Sequence, residues 1–309
     1  MVGQARILSV GVAVIDLIMN MKSLPREAEK YRCDDLHVTG GGCAANAAVA
    51  IARLGGESHL ATRVGDDMIA DLIISDLERE SVDCRHVHRF EGLRSSLSSI
   101  YIDGAGERQI VNFRDTGLPL SSDWIGPVEE YDALLCDTRW PEAATALARI
   151  GRDAGLPVVI DAEAPFDGCE AALANASHVF FSASGLRQFT GMDDLGDALR
   201  ASRPNCRGIL GVTDGPNGVL WLEHETLHNH PAFPVDTVDT LGAGDVWHGA
   251  FTLALAEKFT LHAAVQFASA AAALKCARPG GRDGTPSRHE VQSFLERYAD
   301  IGNAHSLSH

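Results

Sequence analysis

Residues 239–245 read Asp-Thr-Leu-Gly-Ala-Gly-Asp and lead directly into an apolar stretch with helical character. Small residues at a helix N-terminus leave backbone N–H groups free to approach an anion, and the helix dipole favours negative charge there. Asp245 stands at the helix start, where its carboxylate could accept a hydroxyl proton while those N–H groups hold a transferring phosphoryl group. An Asp that only caps a glycine-rich turn is the alternative interpretation, and this stretch alone leaves both open.

A second glycine-rich stretch, residues 40–46, reads Gly-Gly-Gly-Cys-Ala-Ala-Asn and precedes an alanine-rich segment that is predicted to be helical as far as Leu54. Its glycines permit a ligand to lie close to the backbone, and Asn46 can both donate and accept hydrogen bonds to sugar hydroxyls. Taken by itself, a glycine-rich turn before an alanine helix is more typical of packing.

Apolar, β-branched segments alternate with helical ones along the chain. Residues 7–14 are predicted to form a buried strand that leads to the carboxylate of Asp16, and open α/β sheets commonly place a site at such a strand end. Two further runs, 95–102 and 109–113, flank a loop that contains glycine and are predicted to pair as a hairpin. The alternation continues with strands predicted at 133–136, 157–160, 178–181 and 208–212 and helices at 141–154, 246–256 and 261–277. This order indicates βαβ units and a parallel sheet.

Composition and charge restrict the classes of function. The 309 residues include 45% hydrophobic and 22% charged residues, which are ordinary values for a globular protein. A formal net charge of -16 disfavours binding to nucleic acid or to an anionic membrane surface. The apolar stretches are too short for a membrane helix, and the 7 cysteines lack paired spacing, which indicates reduced thiols in the cytoplasm.

The two glycine-rich stretches, in this order, resemble the two signature motifs of the ribokinase-like (PfkB) family of carbohydrate kinases. The likeness covers nearly the whole chain. It includes three further places, which are residues 11–16, Gly65-Asp66-Asp67 after Arg63-Val64, and residues 212–215 with Gly218. A dehydrogenase is disfavoured because no G-x-G-x-x-G follows the first strand, and a P-loop enzyme because G-x-x-x-x-G-K-[ST] is absent.

The resemblance implies an α/β fold, a ribokinase-like three-layer α/β/α domain with a mostly parallel central sheet and a small β-sheet lid. We expect a single kinase domain over residues 1–309, with the lid formed by about 17–39 and 95–115. Because the lid of this family often completes a dimer, the resemblance also implies a homodimer through the lid.

The resemblance further implies the roles of individual residues in a Mg-ATP-dependent sugar kinase. Asp245 would be the catalytic base. The implied anion hole consists of Gly242, Ala243 and Gly244. The implied substrate-binding residues are Asp16, Gly41, Gly42 and Asn46, and the implied ATP-binding residues are Thr213, Gly215 and Gly218. A monovalent cation is a further candidate cofactor, which the sequence leaves open.

One position departs from the family pattern. The family usually carries an Asn-x-x-Glu motif, shortly before a Thr-Gly pair, that helps to position magnesium and phosphates. Counted back from Thr190-Gly191, the corresponding positions here hold Ser182 and Gly185. Since no carboxylate stands there, magnesium is expected to be held mainly by ATP and water, and no protein ligand is assigned to it.

Within the family, the chain is most similar to the 6-deoxy-6-sulfofructose kinases, which phosphorylate the 1-hydroxyl of that sulfosugar. The likeness lies in Glu29-Lys30-Tyr31, Val111-Asn112-Phe113 and Asp137-Thr138-Arg139-Trp140. It implies that Lys30, Asn112 and Arg139 surround the sulfonate. A tetrahedral anion suits a point charge, a forked guanidinium and an amide donor, and a phosphate would suit them nearly as well.

Two alternatives remain. A ribokinase, fructokinase or sugar-phosphate kinase of the same family would keep the chemistry and change the acceptor, and a neutral sugar would have no use for an anion-binding trio. A non-catalytic sugar-sensing protein would keep the fold and lose the chemistry. The absence of an acidic residue at Gly185 favours this second alternative, whereas the intact residues 242–245 disfavour it more strongly.

Overall fold

Two β-sheets organise residues 3–306, which are the residues that the computed structural model describes. Residues 1, 2 and 307–309 of the predicted domain lie outside the described residues. The strands are β1 (Arg6–Val10), β2 (Val14–Asn20), β3 (Asp35–Gly41), β4 (Glu57–Gly65), β5 (Asp83–Phe90), β6 (Leu97–Ile102), β7 (Arg108–Phe113), β8 (Ala133–Asp137), β9 (Val158–Ala162), β10 (His178–Ser182), β11 (Ile209–Thr213), β12 (Val219–Glu223) and β13 (Thr226–His230). The α-helices are α1 (Cys43–Arg53), α2 (Met68–Arg79), α3 (Pro141–Ala154), α4 (Glu170–Asn175), α5 (Ala183–Thr190), α6 (Leu195–Ser202), α7 (Ala243–Ala256), α8 (Leu261–Cys276) and α9 (Arg288–Ser306).

Nine strands form the central sheet, in the order β13-β12-β11-β10-β9-β8-β1-β4-β5. All neighbouring pairs from β11 to β5 are parallel, whereas β12 and β13 add an antiparallel edge. Helices α1, α7 and α8 share one hydrophobic core with the sheet, and helices α3 to α6 share another. This three-layer arrangement confirms the α/β fold and the mostly parallel sheet that the alternating pattern predicts.

Helix α7 is surrounded by the central sheet, α1 and α8, and this position explains its composition. Its side chains Trp247 and Phe251 pack against Phe180 of β10, with ring centroids 4.8 Å apart in each pair. A helix that is apolar all round is buried on all sides. Beyond Asp245 in the first turn, its buried polar side chains His248 and Thr252 are hydrogen-bonded to the main-chain carbonyls of Gly244 and His248. Within residues 3–306, no helix, α7 included, combines the length and the hydropathy needed to cross a membrane.

The second sheet is small and separate, with four strands in the order β3-β2-β6-β7. It contains the predicted hairpin as the antiparallel pair of β6 and β7, while β2 pairs antiparallel with β3 and parallel with β6. The register places Asp16, Ser98 and Asn112 side by side, so they share one face, which we call the inner face. The opposite, outer face carries apolar side chains such as Val38 and Val111.

The first strand ends earlier than the sequence predicts. Residues 7–14 suggest one continuous strand leading to Asp16, but β1 ends before Gly11, and Asp16 lies inside β2 of the small sheet. Gly11 has a φ of 153°, and a Cβ atom there would overlap the carboxylate of Asp137. The same carboxylate accepts the N–H of Val12 at 2.8 Å. This contact turns the chain from one sheet into the other.

Candidate active site

The first turn of α7 carries the predicted catalytic residue. Gly242 precedes the helix with a φ of 77°, and Asp245 lies in the first turn. The N–H of Ala243 is used within the chain, because it donates to the Thr240 carbonyl at 3.2 Å. Among residues 3–306, the N–H groups of Gly244 and Asp245 donate to no backbone oxygen. Within the described residues the N–H of Gly242 also donates to no oxygen, so it and these two groups are available to an anion.

Asn46 holds the carboxylate of Asp245. Its Nδ2 donates to Oδ2 of Asp245 at 2.6 Å, which joins the two glycine-rich stretches at one point. Burial and, to a smaller extent, the nearby carboxylate of Asp161 raise the pKa of Asp245 to about 7, although the hydrogen bond from Asn46 opposes the shift. A carboxylate with a pKa near neutrality is suited to accept a proton from an alcohol.

Asp161, in β9, is a second buried carboxylate at this site, and nothing in the sequence distinguishes it from an ordinary strand residue. One of its oxygen atoms lies within 4.8 Å of a carboxylate oxygen of Asp245. Burial raises the pKa of Asp161 well above its usual value. His248 approaches Asp161 at 3.5 Å, but its ring nitrogens also face the carbonyls of Gly244 at 2.8 Å and Phe180 at 3.3 Å. These contacts give His248 a structural role, as its place on a helix face indicates.

The predicted substrate-binding residues Asp16, Gly41 and Asn112 lie together on the inner face of the small sheet. A Cβ atom on Gly41 would overlap the carboxylate of Asp16, so only glycine permits this approach. Burial raises the pKa of Asp16, while a hydrogen bond with Ser98 and the charge of Arg282 oppose the shift. Ser98 Oγ also accepts a hydrogen bond from Nδ2 of Asn112 at 2.9 Å.

Arg282 is a buried arginine that connects these groups. Its Nε donates to Oδ1 of Asn46 at 2.9 Å, its Nη2 donates to the Gly41 carbonyl at 3.1 Å, and its Nη1 pairs with Asp76 at 2.5 Å. Because Oδ1 of Asn46 accepts from Arg282, Nδ2 of the same amide faces Asp245. Arg282 therefore fixes the orientation of Asn46. Sequence reasoning misses this role, and its only signal is that Arg282 directly follows Gly280 and Gly281.

Asp137, at the end of β8, ties three segments together beside the site. Its carboxylate accepts the backbone N–H groups of Val12 at 2.8 Å, Ala44 at 3.2 Å and Arg139 at 2.8 Å. Ala44 follows closely after Gly42, which is the N-cap residue of α1. Since this carboxylate is already occupied by three donors, Asp137 orders the backbone around the site.

The three residues predicted to surround a sulfonate are placed in different surroundings. Asn112 lies on the inner face, and Lys30 is exposed in the loop between β2 and β3. Arg139 donates from Nη1 to the Ala164 carbonyl at 2.6 Å and lies 3.8 Å from the carboxylate of Glu163. Within the described part of the chain, no hydrogen bond or ion pair joins the trio.

A cleft of about 360 Å³ opens beside Arg139, and Glu163, Ser184 and Gly185 also line it. Gly185 stands where the family pattern has a carboxylate. Ser182 is not a free ligand either, because its hydroxyl accepts the Gly185 N–H at 3.0 Å and caps α5. Glu163 supplies the carboxylate that lines this cleft, and a carboxylate oxygen is the type of ligand that magnesium prefers.

One other group of side chains has the spacing of metal ligands. The sulfur of Cys43 and one carboxylate oxygen each of Asp161 and Asp245 lie within 4.8 Å of one another. Burial raises the pKa of the Cys43 thiol well above its usual value, so the thiol stays protonated. A protonated thiol does not suit a hard cation, and this group does not fit a magnesium ion.

The residues predicted to contact ATP lie at the end of β11 and in the loop after it. Thr213 ends that strand, and Gly215 begins a short 3-10 turn. A Cβ atom on Gly215 would meet no described atom within 4 Å, so its backbone is open on that side. Gly218 instead packs against the backbone of His230 in β13. Gly215 is thus accessible to a ligand, whereas the small size of Gly218 is explained by packing between chain segments.

Comparisons with known proteins agree with this geometry. A family model described as pfkB family carbohydrate kinase matches residues 4–288. The ribokinase of Bacillus subtilis (strain 168) is 26% identical over 291 residues, which cover 93% of this chain and 98% of that protein. The ATP-dependent ribose-1-phosphate kinase of Halopiger xanaduensis is 28% identical, over 96% of this chain and 99% of that protein. The solved structure of a provisionally named ribokinase from Agrobacterium tumefaciens is 36% identical with a TM-score of 0.92, over 96% of this chain and 99% of that one.

Proposed function

The chain belongs to the pfkB family of carbohydrate kinases, and we propose that it transfers the γ-phosphoryl group of Mg-ATP to the 1-hydroxyl of 6-deoxy-6-sulfofructose. Family membership identifies the protein as a phosphotransferase with a hydroxyl acceptor, and it argues against the alternative of a non-catalytic sugar sensor. The observation that carries the proposed chemistry is the meeting of Asp245, Asn46 and the free N–H groups in the first turn of α7.

Asp245 is the proposed catalytic base. Its carboxylate takes the proton of the acceptor hydroxyl as the hydroxyl oxygen attacks the γ-phosphorus, the bond to the β-phosphate oxygen breaks, and ADP leaves. The N–H groups of Gly244 and Asp245 stabilise the negative charge on the transferring oxygens, and Gly242 and Ala243 form the turn that presents them. Asn46 keeps the base aimed at the acceptor.

The nucleotide is proposed to reach the first turn of α7 from the side of Thr213 and Gly215. Gly218 supports this loop through its packing on β13. Magnesium enters as part of the substrate Mg-ATP and is held mainly by phosphates and water, with Glu163 as the carboxylate that the cleft offers. When bound, the metal neutralises charge on the phosphoryl oxygens.

The choice of a sulfonated acceptor rests on Lys30, Asn112 and Arg139. Asn112 shares Ser98 with Asp16, which supports a role of the inner face in sugar binding. The guanidinium of Arg139 retains donors beyond its bond to Ala164, and a guanidinium matches the oxygen atoms of a tetrahedral anion. Closure of the small sheet as a lid would carry the exposed Lys30 toward the same ligand.

An ADP-release assay with Mg-ATP tests the acceptor. We expect 6-deoxy-6-sulfofructose to be the best substrate in a panel with fructose 6-phosphate, fructose and ribose. Arg139→Met is expected to raise the KM for the sulfonated sugar about 30-fold, because it removes a charged hydrogen bond. The KM for fructose should stay within about twofold of the wild-type value.

Arg149→Met is the matched control, because Arg149 is exposed on α3, and we expect it to change neither KM. Higher activity with fructose or ribose than with both anionic sugars would refute the proposed acceptor and would leave the family assignment intact.

A sugar phosphate is the second candidate acceptor. The similarity to a kinase named for ribose 1-phosphate favours it, because that substrate is also an anionic sugar. Lys30 and Arg139 could serve either anion, but a sulfonate carries one negative charge and a phosphate monoester between about 1.5 and 2 at neutral pH. A sulfonate therefore needs less positive charge than a phosphate, which favours it at a site built from one lysine and one arginine, and the comparison with fructose 6-phosphate decides between the two.

We also propose a homodimer that forms through the outer face of the small sheet. Leu36, Val38 and Val111 are 52%, 49% and 57% exposed on this face. Exposed apolar side chains on one face commonly mark an interaction site, and a second copy would bury them. Val111→Asp is expected to convert the enzyme from a dimer to a monomer in sedimentation velocity.

Ile150→Asp provides the control for the dimer test, because Ile150 is 45% exposed on α3, away from the small sheet. We expect that variant to sediment as the wild type does. A wild-type enzyme that sediments as a monomer at every concentration would disprove the dimer.

The proposed setting is the cytoplasm. All 7 cysteines are free thiols in the structure, and reduced thiols are typical of that compartment. Recovery of the activity in a periplasmic or extracellular fraction would contradict this setting.

A further inference from the structure

Lys275, in the last turn of α8, has 0% of its surface exposed. Lysine is almost never fully buried unless its ammonium group is paired. Here Nζ donates to the main-chain carbonyl of Asp239 at 2.8 Å and lies 3.2 Å from Oδ2 of the same residue. The ammonium group is thus enclosed at the beginning of the turn, residues 239–245, that leads to Asp245.

Asp239 holds this turn in place through hydrogen bonds of its carboxylate and of its main chain. Its Oδ1 accepts the Leu241 N–H at 2.9 Å, and its Oδ2 accepts the Gly281 N–H at 2.9 Å. Its own N–H donates to the Cys276 carbonyl at 3.1 Å. Arg108 of β7 approaches Oδ1 at 3.2 Å from the more exposed side. The turn, the end of α8 and the segment after α8 therefore meet around Asp239.

Two oxygen atoms of Asp239 converge on the ammonium group, which is the arrangement expected of a cation site. Protein carbonyl oxygens can replace the hydration shell of a potassium ion, and a carboxylate adds the opposite charge. Without a cation at this point, the negative charge on the buried inner side of the Asp239 carboxylate would be only partly neutralised. Burial lowers the pKa of Lys275, and the carboxylate of Asp239 opposes that shift.

We propose that Lys275 is a positioning residue whose ammonium group is a built-in cation for residues 239–245, so that phosphoryl transfer needs no monovalent cation from solution. The inference rests on the proposed function, because it gives the turn the task of presenting the N–H groups of Gly244 and Asp245. Lys275 touches neither reactant and acts through Asp239. A cation that is covalently part of α8 cannot dissociate, so the turn stays ordered in any salt.

Steady-state phosphoryl transfer in the chlorides of tetramethylammonium, sodium and potassium, at one ionic strength, tests this proposal. The wild-type kcat is expected to agree within about twofold among the three salts. Lys275→Ala is expected to lower kcat about 30-fold in tetramethylammonium chloride, because the turn is displaced, with little change in the KM for the sugar. Ammonium or methylammonium ions, which fit the space that Lys275 leaves, should restore part of kcat in a saturable way. Lys258→Ala, at an exposed lysine, is the matched control and should respond to no salt.

A wild-type enzyme that requires potassium would overturn the proposal. So would a folded Lys275→Ala enzyme that keeps its kcat, or one that loses it without any rescue by small cations. If Lys275→Ala fails to fold, Lys275→Met keeps the side-chain volume, and the wild-type salt comparison still decides. If the wild type phosphorylates none of the sugars, the proposed function fails separately. In that case, the thermal stabilisation of the protein by Mg-ADP is measured in the same salts. Its dependence on the salts then supports or overturns the role of Lys275.

Discussion

Asp245→Asn is expected to lower kcat about 10³-fold and to leave the affinity for Mg-ATP within about threefold. The Asn side chain has the size of Asp, and its oxygen can still accept the hydrogen bond that Asn46 donates at 2.6 Å in the wild type. The first turn of α7 therefore keeps its geometry. The amide cannot take a proton from the acceptor hydroxyl, so the loss falls on the chemical step.

Initial rates of ADP release give kcat, and titration calorimetry with Mg-ATP gives the affinity. Asp236→Asn is the matched control, because Asp236 is exposed shortly before the same turn, and it should retain full kcat. An Asp245→Asn enzyme within about tenfold of the wild-type kcat would show that another group removes the proton.

The pH dependence of the wild type provides a second measurement on the same carboxylate. Its pKa of about 7 means that Asp245 is ionised, and able to act as a base, above that pH. We therefore expect kcat/KM to fall about tenfold per pH unit below 7 and to level off above it. Asp161→Asn removes the neighbouring carboxylate that helps to raise this pKa, so the acidic limb should move to lower pH. If the acidic limb of the Asp161→Asn profile stays at the wild-type pH, Asp245 is not the group that titrates.

Much of the fold follows from local signals in the sequence. Helix α3 spans the predicted residues 141–154, because Pro141 suits the first helical turn and Gly155 ends the helix with a φ of 70°. The hairpin pairs as predicted, because the residues between its strands tolerate a tight loop. Each of these features depends on residues that are neighbours in the chain, which is why the pattern predicts them.

The end of the first strand depends instead on a distant residue. Nothing between residues 7 and 16 marks a break strongly enough to separate two strands in different sheets. The break is made by Asp137, which lies 125 positions from Val12 and accepts its N–H. A local pattern contains no information about a partner so far along the chain, so the sequence predicts the wrong strand for Asp16, which lies in β2.

In the candidate site too, residues within local motifs can be predicted, whereas residues whose roles depend on distant contacts cannot. Asp245 and Asn46 each stand in a recognisable glycine-rich stretch, so the resemblance is enough to associate them. Arg282 and Asp161 have no local signature, because a single arginine in a loop or aspartate in a strand is common in any protein. Arg282 contacts Asn46 across 236 positions, and only the folded chain reveals that contact.

Arg282→Met is expected to lower kcat about 100-fold and the free energy of unfolding by about 3 kcal/mol. The stability falls because Asp76 loses its buried partner, which lies at 2.5 Å. The rate falls because Oδ1 of Asn46 loses the donor that orients the amide, so Nδ2 is no longer held against Asp245. Urea unfolding and initial rates of ADP release measure the two effects. Arg278→Met is the matched control, since Arg278 forms a more exposed ion pair with Glu290, and it should cost less than about 1 kcal/mol.

Arg282→Lys separates the positioning role from a purely structural one. A lysine ammonium can still pair with Asp76, but a point charge cannot also serve Asn46 and the Gly41 carbonyl, which the flat guanidinium reaches with separate nitrogens. The lysine variant should therefore recover much of the stability while its kcat remains low and its affinity for Mg-ATP remains near that of the wild type. If kcat recovers in proportion to stability, Arg282 acts only by holding the fold together, and the orientation of Asn46 does not depend on it.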